Sequence, residues 1–134
     1  MTDPSREQAA VLLRKAREDD YACRALSGDK QASPWIIGFH AQQAVEKSIK
    51  AVLALHRVGY PHVHDIEALL KLLRQGSIPS PPDAENLPRL TPLAALMRYE
   101  DESDEGPSPS VTLDWMLTSS AQTICWAEQQ LNKA

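Results

Sequence analysis

Three polar residues recur at four-residue steps through an otherwise apolar stretch: Gln42, Glu46 and Lys50. On a helix this spacing lines them along one face, with Glu N-terminal to Lys, the favourable orientation for an i,i+4 pair. Converging with Asp19, His64 or Arg98, such amides and charges could hold a nucleotide base or ribose between helices. The same set can instead form an internal polar network that fixes helix register, each charge paired. The sequence favours the network, because no glycine-rich loop and no lysine–serine pair is present to cradle phosphates. Arg98 with Tyr99 is a second candidate, able to bind a phosphate without cleaving it. The plainer reading pairs Arg98 with a carboxylate of its own chain, such as Asp19 or Glu46.

The remaining chemistry-bearing residues point to structural roles. His64-Asp65 has the composition of a catalytic dyad, but such a pair more often caps a helix and bonds the preceding turn. His62 and His64, one residue apart, lack a third ligand for a metal. Cys23 and Cys125 have neither metal nor redox spacing and read as reduced, small core-type residues. No catalytic residue, metal or cofactor is assigned, and the role of His40 is open.

These residues must be positioned by helices, because no window alternates as a strand does. Leu12, Ala16, Asp19, Cys23 and Leu26 draw one stripe along a helix over 5–27, with Ser5 as its N-cap and Ser27-Gly28-Asp29 as its stop. Asp19, the polar member of that stripe, needs a partner if buried. Ser33-Pro34 opens a second helix running to about 57, ended by Gly59 and Pro61 and apolar on more than one face, hence central. Asp65 or His64 caps a shorter helix with the stripe Ile66, Leu69, Leu70 and Leu73, ended by Gly76. A proline-rich loop over 77–92 is tied to the body by Leu87 and Leu90, and a short helix follows through Met97. The stretch 100–110, acidic and then Ser/Pro-rich, is expected to be exposed and mobile. Ser110 caps a last helix with the stripe Leu113, Leu117, Ser120, Ile124, Ala127 and Leu131. The expected fold is an all-α, up-and-down bundle of about five helices, with two long terminal helices and a long central second one.

The string Phe39-His40-Ala41-Gln42-Gln43-Ala44-Val45-Glu46-Lys47, with His64-Asp65-Ile66 and Leu69-Leu70 downstream, resembles the HEPN family of small helical domains. Asp19 fits that family's first helix and Arg98-Tyr99 its Arg-Tyr near the end of the fourth, so the resemblance covers about 9–132. It implies a single domain that pairs as a homodimer, and a setting beside a minimal nucleotidyltransferase in a toxin–antitoxin-like module. It also implies a nucleotide or RNA ligand. Other members of the family are metal-independent ribonucleases in which an arginine is followed four to six residues on by a histidine. There the arginine stabilises charge on the scissile phosphate and the histidine acts as general acid or base.

This chain departs from that pattern. Its four histidines, His40, His56, His62 and His64, all precede Arg98, and Tyr99 runs directly into Glu100-Asp101-Glu102-Ser103-Asp104-Glu105. Arg57 and His62 have four residues between them but belong to the turn after the second helix, so they are set aside as a nuclease pair. The expectation is a non-catalytic binding protein, with a ribonuclease or toxin bearing a degenerate site as the alternative. A tryptophan of the last helix is a candidate dimer contact.

Composition agrees with a single ordinary domain: 134 residues, 43% hydrophobic and 24% charged. Fourteen basic against 18 acidic residues give a net charge of −4, which argues against a nucleic-acid binder driven by bulk charge. Five of the carboxylates lie in the run from Glu100 to Glu105, so the acidity is a local feature. As a functional element that run could meet a basic partner surface; by default it is a solvated loop. No apolar run approaches the roughly 20 residues of a membrane span, and the N-terminus has no signal-peptide stretch. The expected location is cytoplasmic.

Overall fold

The computed structural model describes residues 3–98 and 111–134, with backbone alone for 95–98. Four α-helices and one 3-10 segment carry the chain, and the described residues contain no strand. α1 spans Pro4–Ser27, one residue earlier than the spacing predicts: Asp3, not Ser5, is the N-cap, accepting from Ser5 N–H at 3.0 Å, with Pro4 at the first helical position. α2 spans Pro34–Leu55 under a Ser33 cap and ends before the expected residue 57. His56 is its C-cap, Arg57 N–H donates to Ala54 C=O and Val58 N–H to Leu53 C=O. This is the Schellman pattern, and it places Arg57 in the left-handed region at φ 59°. The helix therefore stops through a non-glycine left-handed residue rather than through Gly59.

α3 spans Ile66–Gln75, with Asp65 as its cap. The expected short helix through Met97 is a 3-10 segment, Leu87–Arg98, that contains Pro92. Pro92, inside the segment, has no N–H to give to an α-helical ladder, and its ring clashes with the carbonyl one turn before it. The proline-rich loop is tied to the body as expected: Trp115 Nε1–H donates to Asp83 at 2.9 Å, and Pro81 and Leu87 are buried. α4 spans Leu113–Lys133, capped by Thr112 rather than Ser110. Its buried face is Met116, Ser119, Ser120, Thr123, Ile124, Trp126 and Ala127, so Ser120, Ile124 and Ala127 of the predicted stripe are buried, Leu117 and Leu131 are half-buried against the core, and Leu113 remains 39% exposed. Trp126 is buried, and Trp115 is half-buried against the bundle's own loop.

α2 is the centre of the bundle, packing against α1, α4, the 3-10 segment and α3. The core gathers Leu13, Val45, Ile49, Leu53, Leu69, Leu73, Leu90, Met116 and Ile124 around it. Close approach is possible because residue 38 is glycine. A Cβ there would lie 2.7 Å from Leu93 Cδ1 and 3.1 Å from Met116 Sδ. No helix among the described residues is long and apolar enough to cross a membrane.

Candidate functional site

The polar line of α2 closes on itself. Glu46 lies at the centre, its side chain 3% exposed. Its Oε1 accepts from Gln42 Nε2 and from His64 Nδ1, both at 2.9 Å, and its Oε2 accepts from Lys50 Nζ at 2.9 Å. Gln42 Nε2 also lies 3.4 Å from His64 C=O, and Gln43 Nε2 donates to Gln42 Oε1 at 2.6 Å. Burial pushes the Glu46 carboxyl up, but hydrogen bonds from Lys50, Gln42 and His64 outweigh it and hold the group below the ordinary carboxylate value. An ionised carboxylate only accepts, so His64 carries its proton on Nδ1 in this contact. The Lys50 ammonium also stands 5.5 Å from the Tyr60 ring centroid. His64 thus fastens the connection after α2 onto the helix that precedes it.

Asp19 does not join this group. Its Oδ1 accepts from His40 Nδ1 at 2.9 Å and its Oδ2 from Lys47 Nζ, an ion pair between α1 and α2. Asp19 therefore finds the partner its burial demands, in two residues the sequence left unassigned. Their signal was present: His40 and Lys47 lie seven apart, two turns along one face of α2. Next to it, the buried Asp20 accepts from Ser120 Oγ at 2.7 Å and from Arg24 Nε at 2.9 Å, joining α1 to α4. Three carboxylates thus tie α2 and α4 to α1, or α2 to its own connection, and each is matched by a cation.

His64 and Asp65 do not form a dyad. Asp65 accepts from Ala68 N–H as the cap of α3, while His64 pairs with Glu46. His62 and His64 make no metal group, and the described residues hold no cluster of His, Cys, Asp or Glu suited to an ion. Cys23 is buried and Cys125 exposed, both as free thiols. The side chain of Arg98, the whole of Tyr99 and the acidic stretch 100–110 lie outside the described residues. The described partners of Asp19 and Glu46 all lie on α2 or in the connection after it.

The arrangement can fix helix register and keep each buried charge neutralised. Gln42, Glu46 and Lys50 bond one another, Gln43 and His64, as an internal polar network would. A family model described as the HEPN domain matches residues 9–122, most of the chain. No curated protein and no solved structure gives a significant match.

Proposed function

The chain belongs to the HEPN domain family, and on that premise we propose that it is a non-catalytic binding module. In this reading it is a cytoplasmic homodimer that takes a nucleotide, or acts with a nucleotidyltransferase-type partner in a toxin–antitoxin-like pair. The observation that carries the reading is in the sequence around Arg98. No histidine follows that arginine, and five carboxylates in six residues come directly after Tyr99. Cleavage of a phosphodiester beside Arg98 would need a group that gives and takes a proton near neutral pH. Carboxylates at that place repel the substrate instead. The closed networks on α2 agree with a scaffold role for the other candidate residues, since Gln42, Glu46, Lys50 and Asp19 are engaged within the bundle.

The test is cleavage of RNA by purified protein in the presence of a chelator. No cleavage is expected. Metal-independent cleavage that Arg98→Ala abolishes would overturn the proposal in favour of a ribonuclease. Sedimentation at micromolar concentration is expected to give a dimer; a monomer would remove that part of the reading.

A further inference from the structure

We infer that the groove between the first turn of α1 and the connection after α2 binds the phosphate group of a small phosphorylated ligand, with Arg57 as its anchor. This deepens the binding-module reading and rests on it. The groove is open to solvent, has a volume of about 390 Å³ and is lined by Ser5, Gln8, Arg57, Gly59, Tyr60 and His62 among others. That volume is within the range of small-molecule sites, which combine apolar walls with a few convergent polar groups.

Charge favours an anion here. Among the residues that line the groove Arg57 and His62 carry basic groups and none carries a carboxylate. In a protein of net charge −4 this is a local excess of cationic and donor groups. From the α1 side the groove receives Pro4, Ser5 and Gln8, all uncharged. Asp3 is the acidic neighbour. It contacts Arg57 at 3.5 Å, while its Oδ1 already accepts from Ser5 N–H. The Arg57 side chain is 73% exposed, so its guanidinium keeps donors for the bidentate geometry that suits phosphate.

The backbone at Arg57 fixes where its side chain leaves the helix end. Its left-handed conformation is the position at which a helix ending in this way favours glycine, and Gly59 is only two residues away. An arginine held there puts a guanidinium on the groove; Ser77 closes α3 in the same left-handed way, so the conformation positions the side chain and is not itself the mark of a site. Gly59 itself has nothing within 4 Å of where a Cβ would lie, which leaves the groove open above that residue. Tyr60, a wall of the groove, is held in turn by Lys50 and so by the Glu46 network. The buried network thereby sets the position of a surface that could pack the non-phosphate part of the ligand.

The experiment is titration of the full chain with inorganic phosphate, pyrophosphate, a nucleoside and its 5′-monophosphate, followed by amide NMR shifts and calorimetry. Millimolar or tighter binding is expected, with shifts confined to residues 4–8 and 56–64. Arg57→Gly should weaken it by about tenfold or more, the scale of a charge-assisted contact. Because glycine suits the left-handed position, the same variant should melt at an unchanged or higher temperature, so lost binding cannot be ascribed to unfolding. Arg57→Lys should retain part of the affinity. Tighter binding of the monophosphate than of either phosphate or the nucleoside identifies a ligand with an organic body; equal binding of the monophosphate and inorganic phosphate identifies free phosphate. No binding of any phosphate, or equal binding by Arg57→Gly and wild type, overturns the site. RNA cleavage by either protein would instead overturn the non-catalytic reading, a separate signal.

Discussion

Glu46→Gln replaces a buried carboxylate by an amide of nearly the same shape, and its effect can be worked from the contacts. The wild-type carboxylate is 3% exposed and accepts three hydrogen bonds, one of them from a Lys50 ammonium that is only 12% exposed. The amide can still accept at one atom, but it presents donors at the other to groups that are donors themselves. Lys50 is then a largely buried cation without a counter-charge. Removing one partner of a buried pair costs about 3–5 kcal/mol. The residual exposure of Lys50 and its contact with Tyr60 argue for the lower end, about 3 kcal/mol, a large part of the 5–15 kcal/mol typical of a domain. The pH dependence has a defined sign. Because the folded-state group titrates below its ordinary value, its stabilisation is complete above the ordinary carboxylate range and is lost as pH falls through the folded-state value. Urea unfolding of wild type and Glu46→Gln should therefore differ most at neutral pH and converge toward acid. Glu46→Gln/Lys50→Met should recover a substantial part of the loss, since it removes the uncompensated cation. The reasoning fails if Glu46→Gln costs under about 1 kcal/mol at pH 7, or if the double variant is no better than the single one.

Two further outcomes concern packing and thiol environment. Gly38→Ala gains about 1 kcal/mol of helix propensity but forces a methyl against Leu93 and Met116, both buried, at a typical overpacking cost of 1–3 kcal/mol. The net expectation is a melting temperature lower by roughly 3 °C, and a rise would show that the contact yields easily. For the cysteines, burial and the neighbouring Asp20 push the Cys23 thiol up to about 11, whereas Cys125 is exposed. A disulfide reagent at pH 8 should therefore titrate one thiol per native chain and the second only in denaturant; two rapid thiols would contradict the burial of Cys23.

The helices were legible where local signals set them. Ser33-Pro34 and Asp65 mark starts that the structure reproduces, and the i,i+4 line of Gln42, Glu46 and Lys50 closes as its spacing implies. What was not legible depends on how one helix is rotated against another. Periodicity shows that Asp19 lies on the inner stripe of α1, but not that His40 and Lys47 of α2 face it. The predicted stripe of α4 includes Ser120, Ile124 and Ala127, which are buried, but not Ser119 and Thr123, small polar residues that a hydrophobic pattern skips. Thr123 satisfies its hydroxyl on Ser119 C=O and Ser120 on Asp20, so these two hydroxyls are buried with their hydrogen bonds made. The end of α2 was drawn too late because glycine is the usual left-handed terminator, and here arginine takes that position.

That last departure bears on where a ligand can be met. Lys50 is matched by Glu46, Lys47 by Asp19 and Arg24 by Asp20. These described cations are therefore each paired, and a phosphate approaching Lys50 or Lys47 would have to displace a carboxylate already bonded by two or three donors. Displacement of a buried, multiply bonded acceptor carries the full penalty of leaving its partners unsatisfied. Arg57 is differently placed: its described counter-charge is a single, largely solvated contact at 3.5 Å, of the kind that contributes little. An anion can take that guanidinium at small cost. Binding by this bundle is accordingly expected at its end, where α2 terminates, rather than along the polar face that its sequence advertises.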